Sequence, residues 1–225
     1  MKFCVVIPSY NESKTIGSLV QKIKAGGLEV IVVDDGSSDK TAEIAKEAGA
    51  EVLRQRQNQG KGAALKEGFR YALNKDYDAV ITMDGDNQHA PSDIPKFIRQ
   101  AANPKLDIIV GNRMFACKDM PAIRWFTNRV MSLVISLICQ RDIRDSQCGF
   151  RLIKRKVLEK LNLNTSKYEI ESETIIEASR RGFRISFVPI QAIYSKETSG
   201  INPLLDTLRS LRLLLKIYCP FLFNK

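Results

Sequence analysis

Short apolar blocks alternate with segments of helical period along the first half of this chain. Phe3 to Ile7, Glu29 to Val33, Val52 to Arg54 and Ala79 to Met83 are brief and largely apolar, so each predicts a buried strand. Ser13 to Ala25, Lys40 to Ala48 and Gly60 to Leu73 predict the intervening helices, with Gly26-Gly27 closing the first and Gly49 the second. Strand and helix at this spacing form βαβ units, which predicts an α/β domain around a mainly parallel, doubly wound sheet. The second half is less regular. Asp107 to Gly111, Phe183 to Val188 and Ile190 to Tyr194 predict strands, while Ile123 to Cys139 and the segment headed by Tyr168 and running to Arg181 predict helices. Leu204, Leu208, Leu211, Leu215 and Tyr218 then recur at helical spacing with Arg209, Arg212 and Lys216 between them, ahead of Pro220-Phe221-Leu222-Phe223. Such a basic amphipathic helix with an aromatic tail suits either a membrane interface or packing on the core. The expected organisation is one domain over residues 1–202, followed by this helix and tail over 203–225.

Composition sharpens this in two ways. The chain has 225 residues, 44% of them hydrophobic and 27% charged, which fits one sizeable core and excludes wholesale disorder. A formal net charge of +10 favours anionic partners: acidic lipid headgroups and phosphorylated substrates come first. Without an aromatic-interleaved basic stripe, nucleic acid is not expected as a partner. The five cysteines, Cys4, Cys117, Cys139, Cys148 and Cys219, are scattered and never spaced as CxxC, so they predict free thiols in a reducing, cytoplasmic setting. The N-terminus enters a strand directly, with no secretory signal pattern. The longest apolar stretch, Val130 to Cys139, is too short to span a bilayer.

Candidate chemistry lies where the predicted strands stop. The first ends in Pro8-Ser9-Tyr10-Asn11-Glu12, the second in Asp34-Asp35-Gly36, and the fourth in Asp84-Gly85-Asp86-Asn87-Gln88-His89. In a doubly wound sheet these turns share the carboxyl edge, where open α/β sheets bind ligands. Asp84 and Asp86 flank a single glycine, and Gln88 adds a neutral oxygen at the same period, a donor set suited to Mg²⁺ or Mn²⁺. The same turn could equally cap a helix beginning at Pro91-Ser92-Asp93. Asp35 and Tyr10 suit a nucleoside, through a hydrogen bond and a ring contact, whereas Asp39 reads as the cap of the helix from Lys40. Gly60-Lys61-Gly62 lacks the spacing and the following hydroxyl of a P-loop. The lone histidine, His89, reads as a structural neighbour of the acidic turn rather than a base.

Together with Asn58-Gln59-Gly60-Lys61-Gly62, these motifs resemble the inverting family 2 glycosyltransferases of GT-A, Rossmann-like fold, and within them the dolichyl-phosphate and polyprenyl-phosphate mannosyl- and glucosyltransferases. The resemblance implies transfer of a hexose from a nucleotide-diphosphate sugar, of GDP-mannose or UDP-glucose type, to a lipid-linked phosphate at the cytoplasmic membrane face. It implies that Pro8, Tyr10, Glu12, Asp35, Lys61 and Asp84 hold the nucleotide, and that Asp84, Asp86 and Gln88 serve a divalent cation. Arg113 and Arg129 stand where family members meet phosphate, a role that suits the charged, forked guanidinium. Arg124 and Arg144 read as solvated. Glu171 and Glu173 match the acidic pair placed beside the sugar, although Asp is frequent at the first of these positions, and both also suit the first turn of a helix. Two alternatives stand beside this reading. One is a family 2 enzyme that glycosylates a hydroxyl of a polysaccharide or glycolipid; the other is a non-catalytic nucleotide-sugar-binding protein, against which the intact Asp84, Asp86 and Gln88 argue.

Overall fold

A computed structural model of the protein describes residues 1–115, 120–191 and 193. The helix and tail expected over 203–225 and two of the five positions of the expected Ile190 to Tyr194 strand, 192 and 194, lie outside these residues. In chain order the elements are β1 (Phe3–Ser9), α1 (Ile16–Ala25), β2 (Glu29–Asp34), α2 (Thr41–Glu47), β3 (Glu51–Arg54), α3 (Lys61–Leu73), β4 (Ala79–Thr82) and α4 (Ile94–Ala101). There follow β5 (Ile108–Asn112), α5 (Ala122–Cys139), β6 (Arg151–Lys154), α6 (Arg155–Leu158), α7 (Ile170–Arg180) and β7 (Ile185–Pro189).

The seven strands form one sheet in the order β3-β2-β1-β4-β6-β5-β7. β1 pairs in parallel with both β2 and β4, and Cys4 to Ile7 are fully buried, as a central strand covered on both faces requires. Growth runs outward from β1 through β2 to β3, then resumes on the other side with β4. The gap between β1 and β4 is therefore the topological switch point, and the carboxyl ends of both strands open into it. The expected parallel sheet has one exception. β6 is antiparallel to β4 and to β5, and its four residues are all buried. Its sequence, Arg151-Leu152-Ile153-Lys154, has charged ends that hide its apolar centre from a pattern search.

Two further expectations change. Ile190 is buried but lies beyond the end of β7 rather than in a new strand. The apolar stretch at Val130 is part of an 18-residue helix, α5, which by length and composition alone is long and apolar enough to cross a membrane. α5 is also inverted. Its buried residues include Thr127, Asn128 and Ser132, while Ile123, Phe126, Leu133 and Leu137 are exposed. Hydroxyls on this side bind neighbouring backbone: Ile143 N–H donates to the half-buried Ser136 Oγ at 2.9 Å and Ser146 N–H to the buried Ser132 Oγ at 3.0 Å. Met131 and Ile135 pack on Ile175 and Ile176 of α7.

Ile81 is 0% exposed in the middle of β4. Truncation there leaves a cavity under the switch point, so Ile81→Ala should destabilise the fold by about 2–5 kcal/mol. Urea unfolding of variant and parent, compared at unchanged slope, measures it.

Candidate active site

The turns leaving β1, β2 and β4 and the start of α3 enclose a cavity of about 410 Å³ at the switch point. Its lining includes Pro8, Tyr10, Glu12, Asp35, Lys61, Asp84 and Asp86, seven of the residues expected there from sequence. It also includes Ser9, Asn58, Lys167 and Tyr168, which the sequence reading did not assign to the site. Ser9 lies within the Pro8-Ser9-Tyr10 motif, and its hydroxyl is buried without a hydrogen-bond partner, an orphan donor in the cavity wall. Lys167 and Tyr168 arrive from the segment before α7, and no local pattern announces them.

Asp35 is almost fully buried at the end of β2, where its two carboxylate oxygens accept from the backbone N–H groups of Gln59 and Gly60, each at 2.8 Å. This ties the β2 turn to the loop that starts α3. Gly60 takes φ +99°, and a Cβ there would lie 2.5 Å from the carbonyl oxygen of Ser166, so only glycine permits this close approach. Asp39 accepts from Thr41 N–H at 3.0 Å, as its capping role predicts, and from Ser13 N–H at 3.2 Å.

The centre of the site is an ion-pair triad. Lys61 Nζ lies 2.5 Å from Asp84 Oδ1 and 2.5 Å from Glu171 Oε1. Burial opposes the charge on Lys61, but the two carboxylates outweigh it and raise the ammonium's pKa. Burial likewise opposes the charge on Asp84, and Lys61, His89 and Arg113 override it, holding the carboxyl down at about 2. Asp86 moves the other way: burial and then the neighbouring Asp84 raise its pKa. Two carboxylates this close, one of them disfavoured as an anion, fit a site built for an added cation. Among the described residues no group of three His, Cys, Asp or Glu gathers as a metal cage. One or two carboxylates are the protein share that Mg²⁺ takes when phosphates and waters complete its shell.

Three expectations are revised by this geometry. Gln88 is not part of the lining: Asn87 adopts φ +60°, which turns the chain, and Gln88 N–H caps Asp86 Oδ1 at 3.0 Å. Glu173 is 0% exposed, and it accepts from Asn164 N–H at 2.8 Å and from Thr165 N–H and Oγ1 at 3.0 and 2.6 Å. It braces the loop before α7 and does not line the cavity. Glu171 is committed to Lys61. Arg113 does reach the site's electrostatics, lowering Asp84 and Asp86, and is braced by Asp145 through its Nε and a terminal nitrogen at 2.9 Å each. Arg129 is exposed on α5, and Arg144 pairs with Asp142 at the surface.

Comparisons with known proteins agree with this architecture. Residues 4–162 match the family model described as glycosyl transferase family 2. A UDP-N-acetylglucosamine–dolichyl-phosphate N-acetylglucosaminyltransferase of Methanococcus voltae is 32% identical over 215 residues, covering 85% of this chain and 86% of its own. A dolichyl-phosphate hexose transferase of Haloferax volcanii is 32% identical over 190 residues, covering 83% of this chain and 80% of its own. The crystal structure of glucosyl-3-phosphoglycerate synthase from Mycobacterium tuberculosis, in complex with Mn²⁺, UDP-glucose and phosphoglyceric acid, has the same GT-A fold. It superposes with a TM-score of 0.80 at 20% identity, covering 97% of this chain and 80% of that one.

His89 supplies a test of the site's electrostatics. It is 3% exposed, accepts from Asp84 N–H at 3.4 Å, and burial, with Arg113 and Lys61 adding to it, lowers its pKa to about 4. The unfolded chain takes up this proton near pH 6.5 and the folded one only near 4, so stability falls as pH drops across that window. The loss should reach about 3 kcal/mol. In His89→Gln, denaturant unfolding between pH 6.5 and 4 should show that component removed; an unchanged slope would mean the imidazole titrates normally.

Proposed function

This chain belongs to glycosyl transferase family 2 and is a glycosyltransferase, and on that premise we propose that it transfers a hexose, with inversion, from a nucleotide-diphosphate sugar to a polyprenyl or dolichyl phosphate. The observation that carries the acceptor class is the fate of the two α7 glutamates. A hydroxyl acceptor loses a proton as it attacks and needs a general base beside the sugar. Glu173 is buried under three hydrogen bonds from Asn164 and Thr165, and Glu171 is held by Lys61. A phosphate monoester is already ionised at neutral pH and needs cations to hold it. Arg113 and Arg129 suit that task, Arg113 with its fork preset by Asp145.

On the donor side, Asp35 keeps the Asn58 to Gly60 loop against the cavity, Ser9 offers its unmatched hydroxyl, and Tyr10, 47% exposed, forms a rim on which a base can stack. Asp84 and Asp86 are the residues that would hold Mg²⁺ or Mn²⁺. Such an ion would neutralise charge developing on the departing nucleoside diphosphate. Lys61 stands next to the same position and offers a second positive charge to the phosphates.

The inverted face of α5 supports a peripheral attachment to the cytoplasmic membrane face, where the acceptor's lipid tail lies. Ile123, Phe126, Leu133 and Leu137 point outward from a chain of net charge +10, with Arg129 exposed on the same helix. Apolar side chains flanked by cations suit the boundary of an anionic bilayer.

Nucleotide release from a panel of GDP- and UDP-sugars, with and without polyprenyl phosphate, tests the reaction. Release should require the lipid phosphate, cease in EDTA and fall by about two orders of magnitude or more in Asp86→Asn, with its unfolding curve unchanged. Undiminished transfer in EDTA would remove the cation from the mechanism, and equal use of a sugar hydroxyl acceptor would replace the phosphate reading.

Attachment is tested separately by flotation with anionic liposomes. The double substitution Leu133→Glu and Leu137→Glu should reduce binding several-fold without lowering thermal stability, because both side chains are more than half exposed. Unchanged flotation would move the membrane contact away from α5.

A further inference from the structure

Lys61 is the first residue of α3, at the positive end of a helix dipole, where a cation is disfavoured. It is nonetheless only 15% exposed, with its ammonium 2.5 Å from carboxylate oxygens on two other elements. Away from the cavity, two further groups pack around Asp84. His89 Nδ1 lies 3.9 Å from Oδ2, and a Cβ on Gly149 would sit 2.7 Å from both carboxylate oxygens, so that backbone packs directly against the group. Thr82 Oγ1 pins the Gly149 carbonyl at 2.6 Å. The ammonium of Lys61 therefore stands on the cavity side of Asp84, where an added cation would have to enter.

We infer that Lys61 is a built-in counter-ion for Asp84, which a divalent cation must displace, so that cation entry frees the ammonium for the donor's phosphates while Glu171 keeps it at the site. The reasoning is electrostatic. Before the donor arrives, Asp84 and Glu171 would be two partly buried anions without a partner, an arrangement that destabilises the fold. With Lys61 between them each anion has a partner, and the affinity for a free cation is lowered by the cost of breaking the Lys61–Asp84 contact. Phosphate oxygens accept the released ammonium, so cation and nucleotide bind more tightly together than separately. Such coupling weakens cation binding until donor arrives.

This inference rests on the cation reading of the proposed function, and the test separates the two. Mn²⁺ binding to the full chain without nucleotide is followed by loss of the free-ion EPR signal, for the parent and for Lys61→Met, which keeps side-chain length without charge. The variant should bind Mn²⁺ about tenfold more tightly, because the competing cation is gone. Equal or weaker binding in a folded variant overturns the counter-ion role and leaves the cation site standing. No Mn²⁺ binding by either protein at millimolar metal overturns both. Should Lys61→Met fail to fold, the parent decides: the ¹⁵N ammonium signal of Lys61, protected by its ion pairs, should shift or vanish on titration with Mg²⁺, and an unchanged signal at saturating Mg²⁺ overturns the inference.

Discussion

Everything in this molecule is referred to β1. It is bonded in parallel on both edges and buried along Cys4 to Ile7, so no neighbouring element can slide relative to it without breaking a ladder and exposing apolar surface. Registration of β2 on β1, with Asp34 opposite Ser9, and of β4 on β1, with Thr82 opposite Val6, brings Asp35, Pro8 and Asp84 to the same carboxyl edge. The cavity is thus a by-product of sheet register. The chain's return past β1, from β3 to β4, creates the opening that those side chains line.

Charge is managed within that opening by long-range pairing. The Lys61 triad joins the start of α3, the end of β4 and the first turn of α7, elements that share no hydrogen-bonded ladder. Arg151, buried in β6, adds a second clasp: it donates to the backbone carbonyls of Cys148, Ser146 and Glu171 at 2.6–2.9 Å. A buried guanidinium saturated by carbonyls fixes the turn behind Asp84 and the height of Glu171 together. The antiparallel β6 therefore has a role in the site although none of its residues lines the cavity.

α5 follows the opposite rule from the core. Its polar residues face inward because they bind the backbone of residues 143–146, the segment that positions Asp145 and through it Arg113. Because hydroxyls share the inner face with Met131 and Ile135, the other large apolar residues of this apolar helix, Ile123, Phe126, Leu133 and Leu137, lie on the outside. The same arrangement that orients Arg113 thus leaves a stripe of exposed apolar residues on the outer side of the helix.

Local chemistry by itself determined the alternation of strands and helices, the mainly parallel sheet, and the three acidic or polar turns on one edge. These follow from residue periodicity and from glycine and proline stops, which act within a few residues of chain. The motif resemblance added the family, and seven of the named residues do meet in one cavity. Tertiary structure alone decided the rest. Glu173 and Glu171 look alike in the first turn of α7, yet one braces Asn164 and Thr165 while the other reaches Lys61, 110 residues away. Gln88 follows the spacing of Asp84 and Asp86 but leaves the cavity because Asn87 takes a left-handed conformation. Ser9, Lys167 and Tyr168 join the lining, and α5 turns its apolar side outward, because of partners distant in sequence. Patterns of period and spacing report what a segment can form; which partner arrives at a given side chain depends on packing between elements, and that is not encoded within any one segment.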